Sequence, residues 1–394
     1  MTFRARLIHA LALERNVTLV AVVMLIQTLG ENLWISFVPK YLEHLAAPVL
    51  VIGLYGTLYD LLDGIYQYPG GRVSDRIGRT RALMLFIALA ALGSAIYAFA
   101  PSWPWILGGL LFVMAWHGMA SPSMFAIIGD VLPREQRTMA FTVQALLRRT
   151  PMAIAPIIGG SLIAAYGITR GMRSGLILAI VLAAIAMFVL RYVRIPTVPH
   201  ERLQVSGVWR TFPQPLRTLL LSDIIVRTCE GLVNVFLVIY ATTVIGISAP
   251  QFGVLIAIHM VTAMLIYLPA AKLADRIGRK PLVTGTFLAF ALFPLAVVAS
   301  NSFAMLILAY VIAGLREIGE PARKALIMDL GDPRVRGRTI GLYYLIRSTA
   351  VAPAAAIGGL LWRISPELPF YLAAAIGLVG TVVFVATVRE EYAV

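Results

Sequence analysis

Charged and titratable side chains interrupt segments otherwise apolar enough to lie in a bilayer: Glu31, Asp60, Asp63, His117, Arg148, Arg149, Arg227, Glu230, His259, Arg316, Glu317, Glu320 and Arg347. A charge at the bilayer centre costs about 2.5–3.5 kcal/mol on insertion scales, so each needs a partner or a wet cavity. The chemistry open to such a set is proton uptake and release, ion pairing, and the holding of a charged solute. Glu31 and Arg148 recur as Glu230 and Arg347 at the same spacing. That predicts two equivalent ion pairs, Glu31–Arg148 and Glu230–Arg347, whose carboxylates take up a proton when the arginine leaves. The alternative is a permanent pair that only fixes helix packing. Asp60 and Asp63 stand one turn apart on one helix face, with Gln67 continuing the stripe. They suit a proton or a cation, or else a hydrogen-bonded brace. His117 and His259 either titrate near neutrality or wall a cavity.

Other chemistry lacks its residues. The sequence has no His-Glu-x-x-His and no Gly-x-x-x-x-Gly-Lys-Ser/Thr, so neither an intramembrane metalloenzyme nor ATP hydrolysis is expected. Cys229 is the single cysteine, which excludes an internal disulfide and makes a packing role the expectation. No metal, cofactor or catalytic residue is expected.

The elements that must position these charges are membrane helices. Hydrophobic residues make up 60% of the chain and charged residues 13%, with a mean hydropathy of +0.86; soluble domains carry about twice that charge. Twelve spans are predicted: 17–41, 49–70, 81–100, 103–132, 138–166, 173–193, 218–245, 250–271, 281–300, 302–328, 339–362 and 368–388. Spans 3, 6, 9 and 12 have no ionisable residue in their cores, which turns them toward lipid and leaves the other eight around a wet centre. Arg170, Arg173, Arg191, Arg323, Lys324 and Arg363 lie near span ends and are read as snorkelling. The proline-rich stretch 195–216 is read as a cytoplasmic linker between an N-terminal six-helix bundle, 1–194, and a C-terminal one, 217–394.

A net charge of +14 raises the question of nucleic acid. The arginines instead gather in short loops on one side of the spans, such as Arg72, Arg76, Arg79, Arg134, Arg137, Arg276, Arg279, Arg334, Arg336 and Arg338. That is the positive-inside pattern, and it places both termini in the cytoplasm of a plasma-membrane protein. Residues 1–16 are read as a retained cytoplasmic lead-in.

The two halves are a repeat. Gly71-Arg72-Val73-Ser74-Asp75-Arg76-Ile77-Gly78-Arg79-Thr80 returns as Ala271-Lys272-Leu273-Ala274-Asp275-Arg276-Ile277-Gly278-Arg279-Lys280. Glu31, Phe37 and Tyr41 map onto Glu230, Phe236 and Tyr240; Pro122 and Asp130 map onto Pro321 and Asp329. Parallel repeats of this kind are a transporter architecture.

On these residues the chain resembles the major facilitator superfamily, over essentially its whole length. The decapeptide is similar to the family signature Gly-x-x-x-Asp-Arg/Lys-x-Gly-Arg-Arg/Lys between helices 2 and 3, departing at Thr80 and, in the second copy, at Ala271. The resemblance implies an all-α membrane fold of twelve helices in two pseudo-symmetric six-helix bundles. It also implies a gate built on Gly71, Asp75, Arg76, Gly78, Arg79, Asp275, Arg276, Gly278 and Arg279. The arginines there can pair with Asp130 and Asp329, and the aspartates can accept from a helix N-terminus. Ala155-Pro156-Ile157-Ile158-Gly159-Gly160 resembles the tail of the antiporter motif, although the arginine expected in helix 4 of proton-driven drug exporters is absent.

The resulting expectation is a monomeric, proton-coupled secondary transporter that alternates access to a midplane cavity. Five arginines, six acids and aromatics including Trp34, Tyr55, Tyr59, Trp116 and Tyr343 suit a small polar or amphipathic solute, an anion among them. The span-5 remnant favours export. The alternatives are a proton-coupled uptake symporter of an organic anion and a lipid or lysolipid flippase of the same fold. The expected partners are the bilayer, a small molecule and protons.

Overall fold

The structure is a computed structural model that describes residues 15–120, 127, 134–193, 212–320, 323, 326–327, 330 and 336–387, some of them by backbone alone. Asp130 and Asp329 lie outside that set, as does most of the linker stretch, and Asp275 is described by its backbone only.

The helices are α1 (Arg15–Asn32), α2 (Val38–His44), α3 (Val49–Ile77), α4 (Arg79–Ala98), α5 (Trp103–Met114) and α6 (Arg134–Leu190). After them come α7 (Gln214–Val233), α8 (Leu237–Ile239), α9 (Ala249–Ile277), α10 (Arg279–Val298), α11 (Phe303–Leu315), α12 (Arg336–Val351), α13 (Pro353–Trp362) and α14 (Leu368–Thr387). Among the described residues, nine helical stretches are long and apolar enough to cross a membrane, and Phe303–Leu315 is a shorter apolar helix. One of the nine, Leu147–Leu190, covers most of both the fifth and the sixth expected span. It bends at Gly167 (φ 77°), where the sequence placed the break.

Two compact units emerge. Unit 1 comprises 1–46 and 65–202; unit 2 comprises 47–64 and 203–394. The core of unit 1 joins α1, α4 and the end of α6 through Val23, Phe86, Ala186 and Leu190, with Trp116 closing it. In unit 2, Leu219 and Val226 of α7 pack with Phe287 and Phe290 of α10 and Phe384 of α14. The opening of α3 belongs to this unit. A Cβ at Gly53 would sit 2.6 Å from the Ala355 carbonyl oxygen, and the Ala356 N–H donates to Thr57 Oγ1 at 3.1 Å. Large apolar side chains point outward on the expected lipid-facing spans, among them Leu92, Phe188, Leu292 and Val382. Such exposure suits hydrocarbon.

The decapeptide is a helix–glycine–helix corner. The spans were expected to stop at 70 and 271, but α3 and α9 run on through Pro69 and Pro269 to Ile77 and Ile277. Proline inside a membrane helix is tolerated when neighbours satisfy the freed carbonyl. Gly78 has φ 88° and ψ 150°, and Gly278 has φ 87° and ψ 169°. Only glycine adopts this region without strain. Gly78→Ala and Gly278→Ala are each expected to destabilise the protein by about 1–3 kcal/mol. Thermal unfolding of the purified variants measures this, and unchanged melting of both would show that the corner tolerates a side chain.

Candidate functional site

Unit 2 contains a chain of seven alternating charges. Asp223 and Arg323 are its most buried members, with side-chain exposures of 1% and 2%. Arg323 Nη1 donates to Asp223 Oδ2, and Arg323 Nη2 donates to Glu320 Oε2 at 2.6 Å. Arg227 reaches the same Glu320 oxygen at 3.4 Å and donates to Glu230 Oε2 at 2.9 Å. Arg316 donates to Glu230 Oε1 at 3.3 Å. At the other end, Arg347 Nη1 stands 3.4 Å from Asp223 Oδ2, and the Tyr343 hydroxyl donates to that oxygen at 3.1 Å. The order is Arg347, Asp223, Arg323, Glu320, Arg227, Glu230, Arg316.

Local structure explains the chain. Asp223, Arg227 and Glu230 are four and three residues apart, so α7 presents them on one face. After α11 the backbone leaves the α ladder: Arg316, Glu317 and Ile318 donate to carbonyls three residues back. This tighter turn swings Arg316 and Glu320 toward α7. Phe290 of α10 lies 4.8 Å from both Arg227 and Arg316, and Phe293 lies 4.9 Å from Arg316. Cations over ring faces lose less on leaving water. His259 is within electrostatic reach of Glu230.

Among the described residues of unit 1 there is a related pair. Glu31 Oε1 lies 3.2 Å from His117 Nδ1, with side-chain exposures of 13% for Glu31 and 24% for His117. His117 sits in a π-helical turn, Ala115–Met119, that follows α5. Such a turn inserts an extra residue and re-aims its side chains. In the repeat His117 corresponds to Arg316, as Glu31 does to Glu230. Both units therefore pair an acid on their first helix with a base on an irregular turn of their fourth. Beside Glu31, a cavity lined by Gln27, Trp34 and Ser94 offers about 20 Å³ for a water's centre, enough for one.

These pairings correct the sequence reading. Glu31 meets His117, not Arg148, which lies exposed on α6. Glu230 meets Arg227 and Arg316, while Arg347 is directed to Asp223. Arg323, assigned to snorkelling, is buried at the centre of the network. Asp223 was missed because it lies near a span end, although its spacing to Arg227 and Glu230 marks the α7 face. Asp60 and Asp63 are half-buried on α3, Arg149 is half-buried on α6, and Glu317 is half-buried in the turn after α11. In the corner motif, Arg79 donates to Asp75 at 2.7 Å and to Ser74 Oγ at 3.1 Å. The N-cap residue of α4, Gly78, provides no side-chain cap.

The model of the Major Facilitator Superfamily matches residues 20–226 and, a second time, residues 219–394. The chain belongs to the major facilitator superfamily. It is a multi-pass membrane transporter of that family, whose members are not enzymes. An uncharacterised MFS-type transporter of Methanocaldococcus jannaschii is 22% identical over 382 residues, 93% of this chain and 94% of that one. The quinolone resistance protein NorA of Staphylococcus aureus is 24% identical over 161 residues, 41% of each protein. The nucleoside transporter NupG superposes with a TM-score of 0.80 at 12% identity, covering 95% of this chain and 100% of that one. That likeness concerns the MFS fold alone.

Proposed function

We propose that this MFS protein is a proton-coupled secondary transporter of the plasma membrane that exports a small polar or amphipathic solute by alternating access. The observation that carries the proposal is the contrast between the two repeat-related pairs. Glu230–Arg316 joins a carboxylate to a base that is always charged. Glu31–His117 joins a carboxylate to an imidazole, the side chain whose charge changes in the physiological range. A step that parts Glu31 from His117 changes the charge each of them faces, so proton occupancy and conformation are linked. The partial likeness to a quinolone resistance protein supports export.

The arginine-rich corners at 71–80 and 271–280 lie on the cytoplasmic side, with both termini, and Asp75–Arg79 is part of the gate. Asp130 and Asp329 are its further partners. The two six-helix halves, 1–194 and 217–394, work within a monomer.

Proteoliposomes with an acidic lumen are expected to accumulate a fluorescent quinolone. Glu31→Gln is expected to reduce that pH-driven accumulation to the level of protein-free liposomes while leaving exchange without a gradient. Undiminished pH-driven accumulation in Glu31→Gln would rule out Glu31 as the coupling group. Accumulation only with an alkaline lumen would favour proton-coupled uptake instead.

A further inference from the structure

We infer that Arg347 is the anchor for an anionic group, and that the solute handled by unit 2 is an aromatic or amphipathic carboxylate. Arg347 stands at one end of the seven-membered chain, and its hydrogen bonding is thin. A guanidinium offers five N–H donors. Among the described residues, Arg347 makes one hydrogen bond, at 3.4 Å, longer than the usual 2.7–3.2 Å. The acceptor, Asp223 Oδ2, already takes Arg323 and the Tyr343 hydroxyl. Arg323, by contrast, donates three hydrogen bonds to two carboxylates.

Charge balance points the same way. Among the described residues the seven linked side chains are four guanidiniums and three carboxylates, and Arg347 is the member whose carboxylate is most shared. An arginine inside a membrane bundle held by one long bond carries charge and donors for a further acceptor. Its side chain is 19% exposed, against 2% for Arg323, so it is not sealed inside the protein. Its guanidinium lies 4.6 Å from the Tyr344 ring centroid, which fixes the cation and supplies a flat apolar wall beside it. A planar fork next to an aromatic face fits a carboxylate on an aromatic body. As a statement about the transported solute, the inference rests on the transporter reading above; as a statement about binding, it does not.

Three near-isosteric probes separate charge from shape: benzoate, its neutral amide benzamide and its cationic amidine benzamidine. Binding is measured on the full-length protein in nanodiscs. Wild type is expected to prefer benzoate to both others. Arg347→Gln is expected to weaken benzoate by at least about tenfold, the effect of one lost charge-assisted hydrogen bond, with benzamide unchanged. Arg347→Lys should recover part of the affinity. No benzoate binding at millimolar concentration, equal benzoate binding by wild type and Arg347→Gln, or a preference for benzamidine would each overturn the inference. Should Arg347→Gln fail to fold, the preference of wild type and the response of Arg347→Lys decide. Benzoate that binds but crosses proteoliposomes under neither pH gradient would remove the proton-coupled transport of this solute class and leave the site. A pH-driven quinolone flux without benzoate binding would do the reverse.

Discussion

Asp223→Leu is expected to cost the protein most of its stability. Asp223 is wholly buried, and Arg323, Arg347 and Tyr343 converge on one of its oxygens. Removing it takes away one of the two carboxylates that neutralise the Arg323 side chain, itself 1% exposed, and leaves that arginine to Glu320 alone. Breaking one side of a buried pair costs about 3–5 kcal/mol, because the surviving charge keeps its desolvation penalty without its partner. Removing both charges is different, since a well-packed apolar replacement is often neutral. Asp223→Leu combined with Arg323→Met is therefore expected to melt closer to wild type than Asp223→Leu alone. Cys229 provides the readout: it is the single cysteine and is fully buried, so a thiol-reactive dye reports unfolding during a temperature ramp. If Asp223→Leu melted within a degree of wild type, the network would be peripheral to stability. If the double variant were as unstable as the single one, the loss would come from packing and not from charge.

The second large effect is steric. A Cβ on Gly159 would overlap the carbonyl oxygen of Leu33, and a Cβ on Gly358 would overlap that of Leu232. These contacts match in the repeat, Leu33 with Leu232 and Gly159 with Gly358. In each unit one helix crosses the end of another at backbone distance, as small residues permit in membranes. Gly159→Val and Gly358→Val are expected to push the helices apart, at about 1–3 kcal/mol or more each, and to reduce the yield of folded protein. Gly285 is the control, a helical glycine with nothing within 4 Å of an added Cβ. Gly285→Ala should be neutral or stabilising, because alanine is the better helix former. Equal yields and melting points for Gly159→Val, Gly358→Val and Gly285→Ala would contradict the close crossing.

The sequence was most informative where the bilayer imposes one-dimensional rules. Apolar length marks spans, arginine-rich loops mark a side, and a recurring decapeptide marks a repeat. A charge in an apolar segment can be read in the same way, so Glu31, His117, Arg227, Glu230, Arg316, Glu320 and Arg347 were all named. Their partners could not be read, because partnership depends on helix rotation and on local departures from the α ladder. The π turn at Ala115–Met119 brings His117 to Glu31, and nothing in the composition of Ala115-Trp116-His117-Gly118-Met119 announces it. The reading of Arg323 failed for another reason: closeness to a span end was taken as closeness to water, whereas the packing around α7 buries it.

The linear order of the seven charges also bears on how the chain can change over generations. Each interior member neutralises at least two others, and Asp223 faces three arginines, so a drift at one position is expected to be tolerated only if a partner drifts with it. Positions 223 and 323 should covary most tightly among related sequences, with 320 and 227 next. Positions 31 and 117 form a further acid–base pair in unit 1. The repeat keeps the acid, Glu31 with Glu230, while the base differs, His117 against Arg316, so substitutions in unit 2 are expected to move together in larger sets than in unit 1.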